Sequence, residues 1–313
     1  MIVEIDPTSA DEALLLRMHD IRRAGHLLAN PDDPIEDDAT GVGMLRVPRF
    51  PGRQWCAVAG DPVVGWAALD LRPDNGAGFV RVHVDPGHRR RGIGRALFAA
   101  ALDRARAADR TVLTAVYGDA AGAAFAAAHG ARTGQSVIRS LLRLPVAADP
   151  APVPGYRAVT WVGPTPDGLL ESYAETRNAI RDAPIENGVE WPRWTPESVR
   201  AQEDVAARRS VEMRVTAIVD GGGAVVAYTQ MVVPSAPSEG AGTDATTVLA
   251  AHRRRGLATW VKVESLHRLA ADRPDVAWVN TANAAANTGM LAVNRALGFR
   301  PVGTWTSAVY DLA

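Results

Sequence analysis

The sequence predicts two mixed α/β domains in tandem, on three observations: a pentapeptide that occurs twice, an order of elements that repeats around it, and a proline-rich connector between the copies. His-Arg-Arg-Arg-Gly stands at 88–92 and again at 252–256, each time between an apolar run and an Ala/Leu-rich helical pattern. Residues 145–154 carry Pro145, Pro150, Pro152 and Pro154, which forbid helix and favour an extended linker. The expected domains are therefore 1–144 and 155–313, joined by 145–154. With 47% apolar residues, a chain of this length can bury two cores of about 150 residues each.

The elements follow in the same order in each half. Residues 3–5 alternate as a strand and 11–28 have helical spacing with Ser9 as candidate N-cap; 156–161 and 167–180 repeat that pair. Soon after each helix comes Pro34-Ile35-Glu36 in one half and Pro184-Ile185-Glu186 in the other. Next are two hairpin-like runs, 55–59 with 63–71 around Gly60-Asp61-Pro62, and 215–219 with 224–233 around Gly221-Gly222-Gly223. Residues 79–84 then alternate as a strand before the turn Asp85-Pro86-Gly87 and the first pentapeptide, and the β-branched run 246–249 precedes the second. A further strand and helix close each half.

Three arginines at a helix start oppose the positive end of its macrodipole, by roughly 0.3–1 kcal/mol per exposed charge, unless an anion is bound. A bound phosphate reverses the sign, with first-turn N–H groups as donors. A P-loop is excluded, because the only lysine, Lys262, lies six residues beyond Gly256. A dinucleotide fingerprint needs a third glycine where Leu97 stands, and the second copy offers only Gly256-Leu257-Ala258. What remains, Arg89-x-x-Gly92-x-Gly94 after Val82-x-Val84, resembles motif A of the GNAT superfamily of acyl-CoA N-acyltransferases, and Arg253-x-x-Gly256-x-Ala258 is similar to it. Downstream, Asn287-x-x-Met290-x-x-x-Asn294-x-x-x-Gly298-Phe299 keeps the spacing of a second GNAT helix, with the vestige Asp119-x-x-Gly122-x-x-x-Ala126-x-x-x-Gly130-Ala131 in the first half.

The resemblance covers nearly the whole chain and implies two GNAT-like domains, each a mixed, mostly antiparallel central sheet flanked by helices. It also implies that acetyl-CoA, or another acyl-CoA, lies along each motif strand as co-substrate. In the first half its contacts would be Val82, Val84, Arg89, Arg90, Arg91, Gly92, Ile93 and Gly94. In the second they would be Val248, Arg253, Arg254, Arg255, Gly256, Leu257 and Ala258, with Asn283 or Asn287 able to bond the pantetheine amides.

For chemistry the second half is the stronger candidate. The tyrosine that relatives use as general acid is replaced by Asn294 there and by Ala126 in the first half; Tyr310 is a substitute only if the last strand folds back toward the thioester. The strand position that often carries a glutamate base is Gly78 in one half and Gly242 in the other, which leaves Asp244, two residues on and on the same face, as the nearest carboxylate. Loss of the tyrosine argues against the reaction of mycothiol synthases, which share the tandem arrangement, but a thiolate can take its proton from water. The segment 182–194, with Asp182, Glu186, Glu190, Trp191 and Trp194, is the place for an acceptor ammonium.

The expected function is transfer of an acyl group to a primary amine of a small molecule. The alternative is an acyl-CoA-binding or sensing protein without catalysis, motivated by the missing acids. A net charge of -1 gives nucleic-acid binding no support. The one cysteine, Cys56, excludes an internal disulfide and suits a reducing cytoplasm as a small buried hydrophobe. The acidic, alternating start is no signal peptide and no run approaches a membrane span, so a cytoplasmic protein is expected. No metal is expected, and a monomer is, since the two domains of one chain can pack on each other.

Overall fold

The computed structural model describes residues 1–47, 53–71, 76–182 and 193–312. They pack as two compact units. Unit 1 comprises residues 1–137 and 303–312; unit 2 comprises the described residues of 138–302.

In unit 1, β1 (Ile2–Ile5), β2 (Arg53–Ala59), β3 (Gly65–Leu71) and β4 (Ala77–Val84) form an antiparallel run, and β5 (Val112–Tyr117) joins β4 in parallel. The outer partner of β5 is the last strand of the chain, β12 (Arg300–Asp311), antiparallel from Thr306 against Tyr117 to Asp311 against Val112. Helices α1 (Glu12–Ala29) and α2 (Asp38–Arg46) cover one face, where Leu15, Met18, Ile21, Val42 and Leu45 meet Trp66 and Ala68. Helix α3 (Ile93–Arg106) covers the other, placing Leu97, Phe98 and Ala101 against Val80, Leu113 and Tyr310; α4 (Ala120–Ala128) adds Ala126 to this core.

Unit 2 repeats the order with different loops. β7 (Tyr156–Val162), β8 (Val211–Asp220), β9 (Val225–Pro234) and β10 (Gly240–Val248) are antiparallel, and β11 (Trp278–Ala284) runs parallel to β10. The outer partner of β11 is β6 (Arg132–Arg143), whose residues 138–143 belong to this unit. α5 (Asp167–Asn178) and α6 (Pro196–Arg208) lie on one face; α7 (Leu257–Asp272) and α8 (Thr288–Ala296) lie on the other. The compact units therefore differ from the sequence halves by an exchange: each half gives the strand after its last helix to the other half's sheet.

Several local expectations change. Asp11, not Ser9, caps α1, its carboxylate accepting from the Ala13 N–H at 3.0 Å, while Ser9 belongs to a turn on Asp6. The connector 145–154 is extended but not a free spacer: Val146 and Ala148 pack on the core of unit 2, and the Ala148 carbonyl is 2.8 Å from His267 Nε2. Helices α2 and α6 were not read from the sequence, although Thr195 and Ser198 cap α6 reciprocally. Cys56 is buried, and burial pushes its thiol up to about 12. Among the described residues no helix is long and apolar enough to cross a membrane.

Candidate functional site

The two arginine loops have the same backbone. Arg90 and Gly92 both take left-handed conformations, at φ 63° and 80°, and Arg254 and Gly256 repeat them at 57° and 81°. Such a conformation costs an arginine roughly 1–2 kcal/mol, and each loop bears it once. The turn delivers the chain into α3 and α7 with Gly92 and Gly256 as N-caps and no side-chain cap on either helix, so the first-turn N–H groups remain open donors. Arg89 Nε donates back to the Val84 carbonyl at 3.3 Å, as Arg253 Nε does to Val248 at 3.0 Å, which locks each loop to the end of its strand. Arg90, Arg91 and Arg254 are exposed; Arg255 donates to the Tyr156 hydroxyl at 3.1 Å. Ile93 and Gly94, like Leu257 and Ala258, form the first helical turn that follows. This donor set suits a diphosphate.

Each motif strand then parts from its parallel neighbour. β4 runs beside β5 only from Ala77 to Phe79, and β10 beside β11 only from Gly240 to Gly242. Beyond these points the strands continue to Val84 and Val248 on their antiparallel partners, leaving the other edge, including the backbone of Val82 and Val84, without a strand neighbour among the described residues. The result is a fork in each sheet, closed at one end by the arginine turn.

The forks differ in what lines them. In unit 1 the strand is regular, Val80 is buried against α3, and a Cβ at Gly78 would stand 2.6 Å from Leu113 Cδ2. Arg81 is paired with Asp70 at 2.9 Å, and His83 stacks on Trp66 with centroids 4.5 Å apart. Desolvation, followed by the charges of Arg22 and Arg81, drops the His83 imidazole to about 3 and keeps it neutral.

In unit 2, Thr243 is opposite Met231 but Ala245 is opposite Gln230, so Asp244 is an extra residue, a β-bulge. Bulge and alternation turn Asp244 to the α5 side, where Gln230 Nε2 donates to its carboxylate at 3.0 Å. Gln230 is itself fixed by the Tyr173 hydroxyl, which donates to its Oε1 at 2.8 Å. Asn280 lies on this side too, its Oδ1 3.3 Å from where a Cβ of Gly242 would be. On the opposite side of β11, Asn294 Nδ2 donates to Asn283 Oδ1 at 2.6 Å, and Asn294 Oδ1 is buried without a partner. A buried, unsatisfied amide oxygen beside a fork is a place for a donor from a ligand or water.

The remaining expected residues fall elsewhere. Asn287 is the N-cap of α8, its Oδ1 accepting from Met290 N–H at 3.1 Å, which leaves only its amide nitrogen for a ligand. Tyr310 sits in the core of unit 1, 4.8 Å from the Phe98 ring centre, with burial pushing its phenol up to about 12. It is not a member of the unit 2 cluster, because β12 completes the sheet of unit 1. Of the acceptor segment, Glu186, Glu190 and Trp191 lie outside the described residues. Among the described residues no His, Cys, Asp and Glu group is placed to hold a metal ion.

Each unit carries the same fold, arginine turn and forked sheet. Residues 16–131 match the profile of the Acetyltransferase (GNAT) family. Over 100% of its length the chain is similar to a tandem GNAT protein from the clavulanic acid biosynthesis pathway, solved without acetyl-CoA, with 30% identity, a TM-score of 0.83 and 98% of that chain covered. This protein therefore belongs to the GNAT family of acyl-CoA N-acyltransferases, as a tandem member. A GNAT structure from Sphaerobacter thermophilus shares the fold at 16% identity and a TM-score of 0.71, over 99% of this chain and 96% of that one. A mycothiol acetyltransferase of Tsukamurella paurometabola is 38% identical over 140 residues, which span 43% of this chain and 44% of that relative, less than half its length.

Proposed function

We propose that unit 2 transfers an acetyl or other acyl group from acyl-CoA to a primary amine of a small-molecule acceptor, and that the loop of unit 1 binds acyl-CoA without chemistry. Acyl-CoA supplies the activated acyl group as a thioester. The first-turn N–H groups after Gly92 and after Gly256 receive its diphosphate, and the free edge of each motif strand, through Val82 and Val84 or through Val248, receives the pantetheine. Asn283 and the Asn287 amide nitrogen are available to the pantetheine amides. In this reading the sequence repeats are 1–144 and 155–313, with 145–154 between them.

The observation that carries the reading is the Tyr173–Gln230–Asp244 chain at the fork of unit 2, set against Val80 in unit 1. Asp244 takes the proton of the incoming ammonium, held in place by Gln230. Asn294 cannot donate as an acid of matched pKa; its buried oxygen orients a water that returns the proton to the thiolate. The pure binding alternative rests on the missing general acid and is disfavoured by the polar groups that line the fork of unit 2, which a passive site does not need.

Asp244→Asn keeps the shape and loses the base, so kcat/KM for acetyl transfer should fall by about 10²–10⁴-fold. Unchanged turnover in that variant, with activity abolished by Gly92→Val, would move the chemistry to unit 1.

A further inference from the structure

The connector and the first two turns of α7 enclose a cleft of about 440 Å³ in unit 2. It starts at the second arginine turn, where Arg255 and Gly256 line it, and follows α7 past Thr259 and Trp260 to Val263. That is seven residues, or about 10 Å of helix. The opposite wall is the connector, which runs antiparallel to α7. Val153 packs on the cluster that holds Trp260, while the Ala148 carbonyl meets His267, one turn beyond Val263. Pro152 and Pro154 keep this wall extended, because each fixes its own φ.

The two ends of the cleft differ in charge. At the turn, Arg255 Nη1 donates to the Tyr156 hydroxyl at 3.1 Å and Nη2 to the Ala251 carbonyl at 3.4 Å, and the same hydroxyl is 2.9 Å from His252 Nδ1. These contacts fix the guanidinium with two of its five N–H groups and leave the others for an anion. At the far end stands the carboxylate of Asp149. Between them Pro152 and Val153 on one wall oppose Trp260 and Val263 on the other. A fixed cation, apolar walls and a terminal acceptor, in that order, suit a nucleotide: phosphate, then a flat base, then the amino group of the base. In unit 1 the strand position that matches Tyr156 is Ile2, paired with the last residue of β2 as Tyr156 is with the last residue of β8, and it has no hydroxyl to fix Arg91.

We propose that this cleft receives the adenosine 3′-phosphate end of the acyl-CoA bound at the second arginine turn, with the 3′-phosphate on Arg255 and the adenine amino group on Asp149. This rests on acyl-CoA binding to unit 2. Pantetheine leaves the same turn along β10, so the connector reads the part of the cofactor that takes no part in acyl transfer. The two cofactor sites then differ in how much of CoA they recognise.

The test is calorimetric titration of the full-length protein with CoA, dephospho-CoA, 4′-phosphopantetheine and adenosine 3′,5′-bisphosphate. Removal of the 3′-phosphate should weaken one of the two CoA sites by about tenfold or more, the scale of one charged hydrogen-bonded pair. Adenosine 3′,5′-bisphosphate should compete with CoA at that site. Thr259→Trp, which fills the cleft, should weaken CoA there by at least about tenfold and leave 4′-phosphopantetheine unchanged, which shows that the turn is intact. Asp149→Ala lies on the exposed connector and keeps the test open if the tryptophan variant does not fold. It should weaken CoA at that site by about three- to tenfold and leave unchanged a CoA analogue whose purine lacks the amino group. Equal binding of CoA, dephospho-CoA and 4′-phosphopantetheine at both sites, or a bisphosphate that competes at neither, overturns the cleft and keeps the turn. Failure of every CoA form to bind overturns the reading on which the proposal rests.

Discussion

The two motif strands, β4 and β10, differ by one residue, and that residue sets what each fork presents. Both lead into the same left-handed arginine turn, and both part from a parallel neighbour after three residues. β4 pairs with β3 without interruption, so Val80 falls in step with Val82 and Val84 and is spent on the core under α3. β10 carries one residue more than its partner, and that residue is Asp244. A regular strand offers every second side chain to a face; a bulge offers two in succession and bends the strand toward them. Backbone N–H donors are the same in both turns whatever side chains surround them, whereas the side chain offered to the fork depends on a single bulge.

The largest effect that would sharpen the comparison concerns what each unit needs to fold. The sequence half 1–144 lacks β12, which contributes Ala308 and Tyr310 to the core of unit 1 and covers the edge of β5. Burial of the tyrosine alone is worth about 1.5–3 kcal/mol, and the open edge adds to the loss, against a domain total of about 5–15 kcal/mol. A fragment of residues 1–144 should show no cooperative thermal transition. A sharp transition in circular dichroism would mean that β12 is dispensable and that the units separate cleanly at the connector.

Much of this was legible in the sequence, and the omissions have physical reasons. The arginine turns could be read because a glycine after three arginines at a helix start has few uses. The strand exchange could not, because residues 132–143 and 300–311 both carry apolar side chains in their second halves, Leu141 and Leu142 in one and Val309 and Tyr310 in the other, and would satisfy either sheet; periodicity reports a face and not a neighbour. The bulge was hidden for a related reason, since it exists only as a mismatch between β10 and β9. Asp244 was found by counting back from the motif, but Gln230 and Tyr173, which hold it, are distant in the chain and carried no signal. The capping pair Thr195 and Ser198 at α6 was a readable signal that was passed over.

A smaller effect comes from the sixth residue of the helix after each turn. Unit 1 has Phe98, packed on Phe125 and Tyr310; unit 2 has Lys262, 2% exposed, its ammonium 5.2 Å from the Phe299 ring centre. Burial pulls the Lys262 ammonium from an ordinary 10.5 down to about 8. A lysine that binds its proton less well when folded costs stability wherever the unfolded chain is protonated. The cost is full below pH 8 and vanishes above 10.5, and a shift of this size corresponds to roughly 3 kcal/mol, offset in part by the aromatic contact. Lys262→Met should raise stability at pH 7 by about 1–3 kcal/mol in urea unfolding. The parent should also gain stability between pH 8 and 10.5 while the variant does not. A destabilised variant, or parallel pH curves, would make Lys262 a needed member of unit 2 and end its equivalence with Phe98.

The smallest effect tests whether the two turns remain equal as cofactor sites. At Gly92 a Cβ would meet nothing closer than the Arg95 guanidinium at 3.9 Å, and at Gly256 it would meet nothing within 4 Å, so space does not forbid a side chain at either position. The backbone does, because φ of 80° and 81° lies where a β-branched residue is strained. A valine there lets the empty turn relax, and binding must then restore the left-handed conformation at a cost of about 1–2 kcal/mol, or roughly tenfold in Kd. Titration of the parent with CoA should reveal two sites. Gly92→Val should weaken one and Gly256→Val the other, each by about tenfold, with only Gly256→Val reducing acetyl transfer. If Gly92→Val leaves the titration unchanged, the turn of unit 1 keeps the shape of a phosphate site without its use. If Gly92→Val alone abolishes turnover, the roles assigned to the two units are reversed.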